Sequence, residues 1–176
     1  SYRSHTLIIV PPALKESWED TLSTFKIDNY KIITNGSLHK IKDAELFDLV
    51  IVDEAHKFRT DTATMYNELQ KICKIKTKHQ HPDGSYYSKK VILVSATPLN
   101  NRPEDIANLV CLFQDSKDST LEESNLQRFF RIQIDRYRKL KKEKNIDYIS
   151  NEIKAIYEKI RVKVVAPLTV RRTRTD

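Results

Sequence analysis

Four short apolar runs punctuate the chain: Thr6 to Val10, Tyr30 to Thr34, Asp48 to Val52 and Val91 to Val94. Each is rich in β-branched residues and bounded by polar or turn-forming ones, as expected of strands in a sheet. Helical periods separate them. Leu14, Trp18, Leu22 and Phe25 recur at spacings of four, four and three behind Pro11-Pro12, and proline at a helix start loses no needed donor. Met65, Leu69 and Ile72 repeat the pattern after the third run, and Ile106, Leu109, Val110 and Phe113 after the fourth. Strand alternating with helix predicts an α/β fold: a three-layer α/β/α arrangement on a mainly parallel sheet, with right-handed crossovers.

Lys76 to Lys90 breaks the alternation. It holds His79, His81, Pro82, Asp83 and Gly84 without an apolar period, so it reads as an exposed loop. His79, His81 and Asp83 could be set out as metal ligands, but two histidines two apart on a polar loop read as plain surface residues. From Leu126 to Val165 the chain becomes long helices studded with cations: Arg128, Arg131, Arg136, Arg138, Lys139, Lys141, Lys142 and Lys144, then Lys154, Lys159, Arg161 and Lys163. Phe129, Phe130, Ile132, Ile134, Tyr137 and Leu140 alternate with them, which predicts one packing face and one basic face. The basic face is either a solvated surface or a phosphate-contacting one.

Composition narrows the class. With 39% hydrophobic and 31% charged residues in 176, the chain can bury a core and is not of the disordered type. Its apolar runs fall far short of the roughly 20 residues that a membrane helix requires. Ser1 to His5 shows neither an apolar signal core nor an amphipathic targeting helix. Cys73 and Cys111 lie in helical apolar patterns and form no metal-type pair, so they read as buried reduced thiols, which favours an intracellular setting. The formal charge of +7 and pI of 9.3 suit a polyanionic partner without requiring one.

The chemistry concentrates at strand ends. Asp53-Glu54-Ala55-His56 follows the run Leu49-Val50-Ile51-Val52 directly, and open α/β sheets take ligands outside the carboxyl ends of their strands. Two adjacent carboxylates there suit Mg-nucleotide hydrolysis: the first to hold a hydrated Mg²⁺, the second to orient or deprotonate the attacking water. The competing reading is a solvated helix start, where the helix dipole favours acids. Ser95-Ala96-Thr97-Pro98 follows the fourth run, so its hydroxyls should emerge at the same sheet edge. Pro11 to Lys15 follows the first, where helix-start amides attract phosphate. Trp18, in the apolar stripe behind it, reads as core.

Together these segments resemble part of the first motor lobe of a superfamily-two helicase, closest to the Swi/Snf-type double-stranded DNA translocases. Leu7-Ile8-Ile9-Val10-Pro11-Pro12-Ala13-Leu14 with Trp18 resembles motif Ia, Asp53-Glu54-Ala55-His56 motif II, and Ser95-Ala96-Thr97-Pro98-Leu99-Asn100-Asn101 motif III with its extension. Val170-Arg171-Arg172-Thr173-Arg174 resembles the segment that closes the first lobe. The resemblance implies that Asp53 holds Mg²⁺, that Glu54 serves the water, and that His56, Ser95 and Thr97 couple nucleotide state to DNA contact. It further implies that Pro11, Lys15, Asn100 and Asn101 lie nearest the tracked strand, with Arg171 and Arg172 as further contacts.

The chain departs from that family at the phosphate cradle, and the arginine-bearing second lobe of relatives is expected to lie outside it. Relatives cradle the triphosphate in a glycine-rich loop ending Gly-Lys-Thr or Gly-Lys-Ser, whereas the glycines here are Gly36 and Gly84, neither followed by lysine. The expectation is therefore a partial RecA-like lobe over residues 1–125 and a basic helical extension over 126–176. Such a chain would supply Mg-ATP hydrolysis and coupling residues to a DNA motor, with an incomplete ATP site and no activity alone. Its implied partners are double-stranded DNA and a second RecA-like lobe of the same protein, with no membrane, and a bacterial cytoplasm is the expected compartment. The alternative is a non-catalytic module that grips nucleic acid or protein with its basic helices. A Mg²⁺ nuclease ranks last, for want of the further carboxylates that two-metal sites gather.

Overall fold

In the computed structural model the described residues are 5–59, 63–95 and 102–170. Two compact units divide the chain, Ser1–Pro98 and Leu99–Asp176. The first is built on four parallel strands, β1 (Thr6–Val10), β2 (Tyr30–Thr34), β3 (Leu49–Val52) and β4 (Lys90–Leu93), in the order β2-β1-β3-β4. All four predicted strands form, within one residue of the expected bounds at β3 and β4.

Register follows from burial. Ile8 pairs with Ile32 on one side and Ile51 on the other. On that face Ile8 and Val10 join Leu22, with Trp18, Tyr30, Ile32 and Ile51 packed around them. Trp18 and Leu22 belong to α1 (Lys15–Thr24), entered through a 3-10 turn over Pro12–Leu14, so the helix predicted from the fourfold spacing covers this face. Alternation sends Leu7, Ile9, Val50 and Val52 to the opposite face, and all four are fully buried. A second helix, α2 (Ala63–Lys74), contributes the buried Leu69, Ile72 and Cys73.

The segment between α2 and β4 is more ordered than its polarity suggests. Gln80 bridges Tyr86 in antiparallel fashion, and His81 stacks on Tyr87 at 3.4 Å between ring centroids. Most of its residues are exposed, as expected, but Thr77 and Lys89 are buried. Lys89 Nζ donates to the Ile75 carbonyl at 2.5 Å, and burial lowers its pKa against the opposing pull of Cys73, Glu45 and Asp48. His79 is half-buried, with Nε2 3.4 Å from Asp48 Oδ1. Among the described residues no metal-type cluster of His, Cys, Asp and Glu occurs.

In the second unit α3 (Pro103–Cys111), α4 (Leu126–Leu140) and α5 (Ile146–Ile160) share one core of Ile106, Val110, Leu126, Phe129, Phe130, Leu140, Ile156, Ile160, Val164 and Val165. The sequence places a boundary at 125/126; here α3 packs together with α4 and α5, and the compact units divide at 98/99. Asn125 and Asn145 cap α4 and α5, each accepting from the backbone three residues on. Ile132, assigned to the packing face, is 45% exposed, while Gln133 is buried in its place. A 100° step per residue puts 126, 129, 130, 133 and 140 on one stripe and 132 off it. Of the cations, Arg136 pairs with Glu152, Arg138 with Glu104 and Arg161 with Glu158. Arg128, Arg131, Lys139, Lys141, Lys142, Lys144 and Lys154 are exposed. No described helix is long and apolar enough to cross a membrane.

Candidate functional site

Because all four strands run the same way, their carboxyl ends share one edge of the sheet. The chain leaves β1 for β2 on one side and returns past β1 to β3, whose own continuation leads to β4 on the other. The connections after β1 and β3 therefore diverge, and such a switch point is where open α/β sheets form their binding crevice. Asp53, Glu54, Pro11 and Trp18 all lie on the two segments that flank it.

Backbone bonds fix the carboxylates to both neighbouring strands. The Asp53 N–H donates to the Ile9 carbonyl at 2.9 Å, and the Ala55 N–H to the Val94 carbonyl at 2.9 Å. Glu54, between them, adopts φ of 51°, a left-handed conformation that costs a residue with a Cβ about 1–2 kcal/mol. Its N–H donates to Asp53 Oδ1 at 2.8 Å, and its carbonyl accepts from Lys57 at 2.9 Å. A strained residue held from both sides by its neighbours is the kind of geometry that clusters where function demands it.

Asp53 is held at its other oxygen as well. The Trp18 indole N–H donates to Asp53 Oδ2 at 2.8 Å across 35 residues of sequence. Trp18 is thus both the core residue its spacing implied and a partner of the site, a role the spacing did not reveal. A partly buried indole has one donor that must find an acceptor, and that demand was the available signal. His56, on the 3-10 turn Ala55–Arg59, brings Nδ1 to 2.9 Å from Glu54 Oε2. The approach is off the line of a hydrogen bond, so Nδ1 has no hydrogen-bond partner among the described residues. Ser95 directly follows the carbonyl that Ala55 engages, and its Oγ is buried without a partner among the described residues.

The structure thus gathers Asp53, Glu54, His56 and Ser95 on one rim, beside Trp18. Pro11 is buried at the end of β1, and Lys15 is half-buried on α1 with Nζ 3.6 Å from Glu19. Thr97, Asn100, Asn101, Arg171 and Arg172 lie outside the described residues. Cys73 is buried and Cys111 half-buried; burial pushes the Cys73 thiol up to about 12, which makes it chemically inert. Two shallow hollows of about 460 and 480 Å³, along α1 and α2, contain none of the rim carboxylates. The donor set at the rim is one of hard oxygens, which fits Mg²⁺ better than a soft metal.

The fold so described is a partial RecA-like α/β/α lobe. No protein-family model matches the chain. Over 68 residues, 39% of its length, it is 35% identical to the uncharacterized ATP-dependent helicase YqhH of Bacillus subtilis (strain 168), of which it covers 10%. Its fold is similar to that of a Sulfolobus solfataricus SWI2/SNF2 ATPase core solved in complex with dsDNA. That match has a TM-score of 0.60 at 17% identity and covers 99% of this chain and 35% of the other. The chain therefore spans about a tenth of the curated relative and about a third of the solved one. Over the parts matched, the chain is thus similar in sequence to a helicase and in fold to a SWI2/SNF2 ATPase core.

Proposed function

We propose that the chain is the part of an ATP-dependent DNA motor that carries Mg²⁺ ligation, water activation and coupling between nucleotide and DNA. The observation that carries this reading is the rim itself: two adjacent carboxylates at the end of β3, tied by backbone bonds to the ends of β1 and β4. Asp53, fixed by two N–H donors, would hold the hydrated ion, which when bound supplies charge neutralisation to a leaving phosphate. Glu54 would accept a proton from, or orient, the attacking water. His56 beside it, with Ser95 and Thr97, would relay the state of the site to neighbouring loops through hydrogen bonds. Pro11, Lys15, Asn100 and Asn101, with Arg171 and Arg172, would face the DNA; for Pro11, which is buried, only the backbone is offered.

Hydrolysis of this kind rests on positioning and charge stabilisation. This chain has no glycine followed by lysine to cradle the triphosphate, so we expect no turnover from it alone. The complete protein carries the test. Glu54→Gln should abolish its ATP turnover while ATP binding persists; retained turnover would remove Glu54 from the role. Double-stranded DNA should accelerate the wild-type enzyme, and acceleration by RNA alone would overturn the Swi/Snf assignment.

A second reading draws on the exposed cations of α4 and α5, namely a module that grips a polyanion without chemistry. Turnover in the complete protein separates the two, since a gripping module has none to lose.

A further inference from the structure

We propose that Trp18 is a positioning residue that links α1 to the ion-binding carboxylate of Asp53, a second coupling route beside Ser95 and Thr97. The proposal rests on the reading of Asp53 as the ion ligand. The indole is the only side chain among the described residues that donates to Asp53, at 2.8 Å, and the other carboxylate oxygen takes the Glu54 N–H at 2.8 Å. With one donor on each oxygen the carboxylate plane is fixed, and each oxygen keeps a lone pair for the water shell of an ion. Hydrogen bonds to a charged acceptor are about twice as strong as neutral ones, so this one responds when the charge on Asp53 is neutralised.

The other end of the link is rigid. The Trp18 ring packs against Ile8, Val10 and Leu22, so the indole moves only with α1 and the sheet face beneath it. Lys15 sits one turn earlier on the same helix, and Pro11 and Pro12 lead into it. A displacement of that segment by a phosphate backbone would pull on the N–H vector and turn the carboxylate. Coupling of this kind is reciprocal: ion occupancy must bias α1 by the same factor that α1 biases ion affinity. Ser95, just past β4, follows the carbonyl that Ala55 engages on the same rim, so the rim would be sensed from both flanking connections.

Trp18 is the sole tryptophan, so all indole emission arises at this link. The chain would be titrated with Mn²⁺, bound ion counted by electron paramagnetic resonance, for the wild type, Asp53→Asn and Trp18→Phe, with folding checked by circular dichroism. Phenylalanine keeps the ring packing and removes the donor. We expect Mn²⁺ binding that is lost in Asp53→Asn and weakened about fivefold in folded Trp18→Phe. Diamagnetic Mg²⁺, which cannot quench by proximity, should shift the wild-type emission saturably and leave Asp53→Asn unmoved. Equal Mn²⁺ affinity in Trp18→Phe, or emission indifferent to Mg²⁺ while Asp53-dependent Mn²⁺ binds, overturns the link and spares the ion site. Absence of any Asp53-dependent Mn²⁺ overturns the ion site and the link with it. The Mg²⁺ arm needs no Trp18 variant, so a misfolded Trp18→Phe leaves the proposal decidable.

Discussion

The left-handed backbone at Glu54 makes a prediction that runs against the ordinary ranking of alanine over glycine. A residue with a Cβ at φ of 51° pays about 1–2 kcal/mol for that conformation, and glycine does not. Glycine instead loses more backbone freedom on folding, about 0.5–1 kcal/mol relative to alanine. Comparing Glu54→Gly with Glu54→Ala removes the carboxylate and its approach to His56 from both sides. What remains is strain against entropy, leaving glycine ahead by about 0.5–1 kcal/mol. With a urea dependence of about 2 kcal/mol per molar, the Glu54→Gly midpoint should lie about 0.3–0.5 M above that of Glu54→Ala. Trp18 emission follows the transition in the unit that contains the site. An alanine variant as stable as the glycine variant, or more stable, would refute the claim that this residue is strained.

Three further outcomes follow from the packing. The Cys73 thiol, raised by burial from 9.0 to about 12, keeps its proton in the folded state while the unfolded chain releases it above pH 9. Its contribution to stability therefore falls as pH rises from 9 towards 12, by up to about 1.4 kcal/mol per pH unit. Lys89 acts in the opposite sense, its proton being held more tightly when unfolded, and Tyr157, raised by burial from 10.0 to about 12, in the same sense as Cys73, so urea midpoints for Cys73→Ser should fall less steeply between about pH 9 and 10 than those of the wild type. Asn125→Ala and Asn145→Ala each remove an N-cap acceptor and should cost about 1 kcal/mol, read as faster amide exchange in the first turns of α4 and α5. Arg136 and Glu152 meet at 2.7 Å while each keeps about a third of its side chain in water; a double-mutant cycle should give a coupling no larger than about 1 kcal/mol.

Much of this fold can be read in the sequence because its core obeys simple periods. Leu7 to Val10 and Leu49 to Val52 are apolar throughout because a parallel strand is covered on both faces, and Trp18 and Leu22 stay four apart because one face of α1 meets the sheet. Where burial depends on satisfied polar groups the period is silent. Lys89 and Thr77 are buried, and nothing in Lys76 to Lys90 distinguishes them from their exposed neighbours, since a carbonyl at Ile75 offsets the lysine. Gln133 deceives in the same way: its place on the stripe is set by the helical angle, while its chemistry points to water, so Ile132 was assigned inward instead.

The site divides along the same line. That two carboxylates stand at the end of a strand is visible in Leu49 to Glu54, because strand direction and residue order settle it. That Asp53 is gripped from β1, from its own successor and from an indole 35 residues earlier is not visible, because each grip depends on a backbone angle or a crossing that sequence order does not encode. Yet the grips on its two oxygens answer needs that could be stated beforehand. An indole N–H half-buried on α1 requires an acceptor, and a part-buried carboxylate directly after a buried strand requires donors for its oxygens. Only the switch in connection between β1 and β3 allows one bond to meet both needs, which makes the topology of four strands, rather than the acidic motif by itself, the source of the arrangement at Asp53.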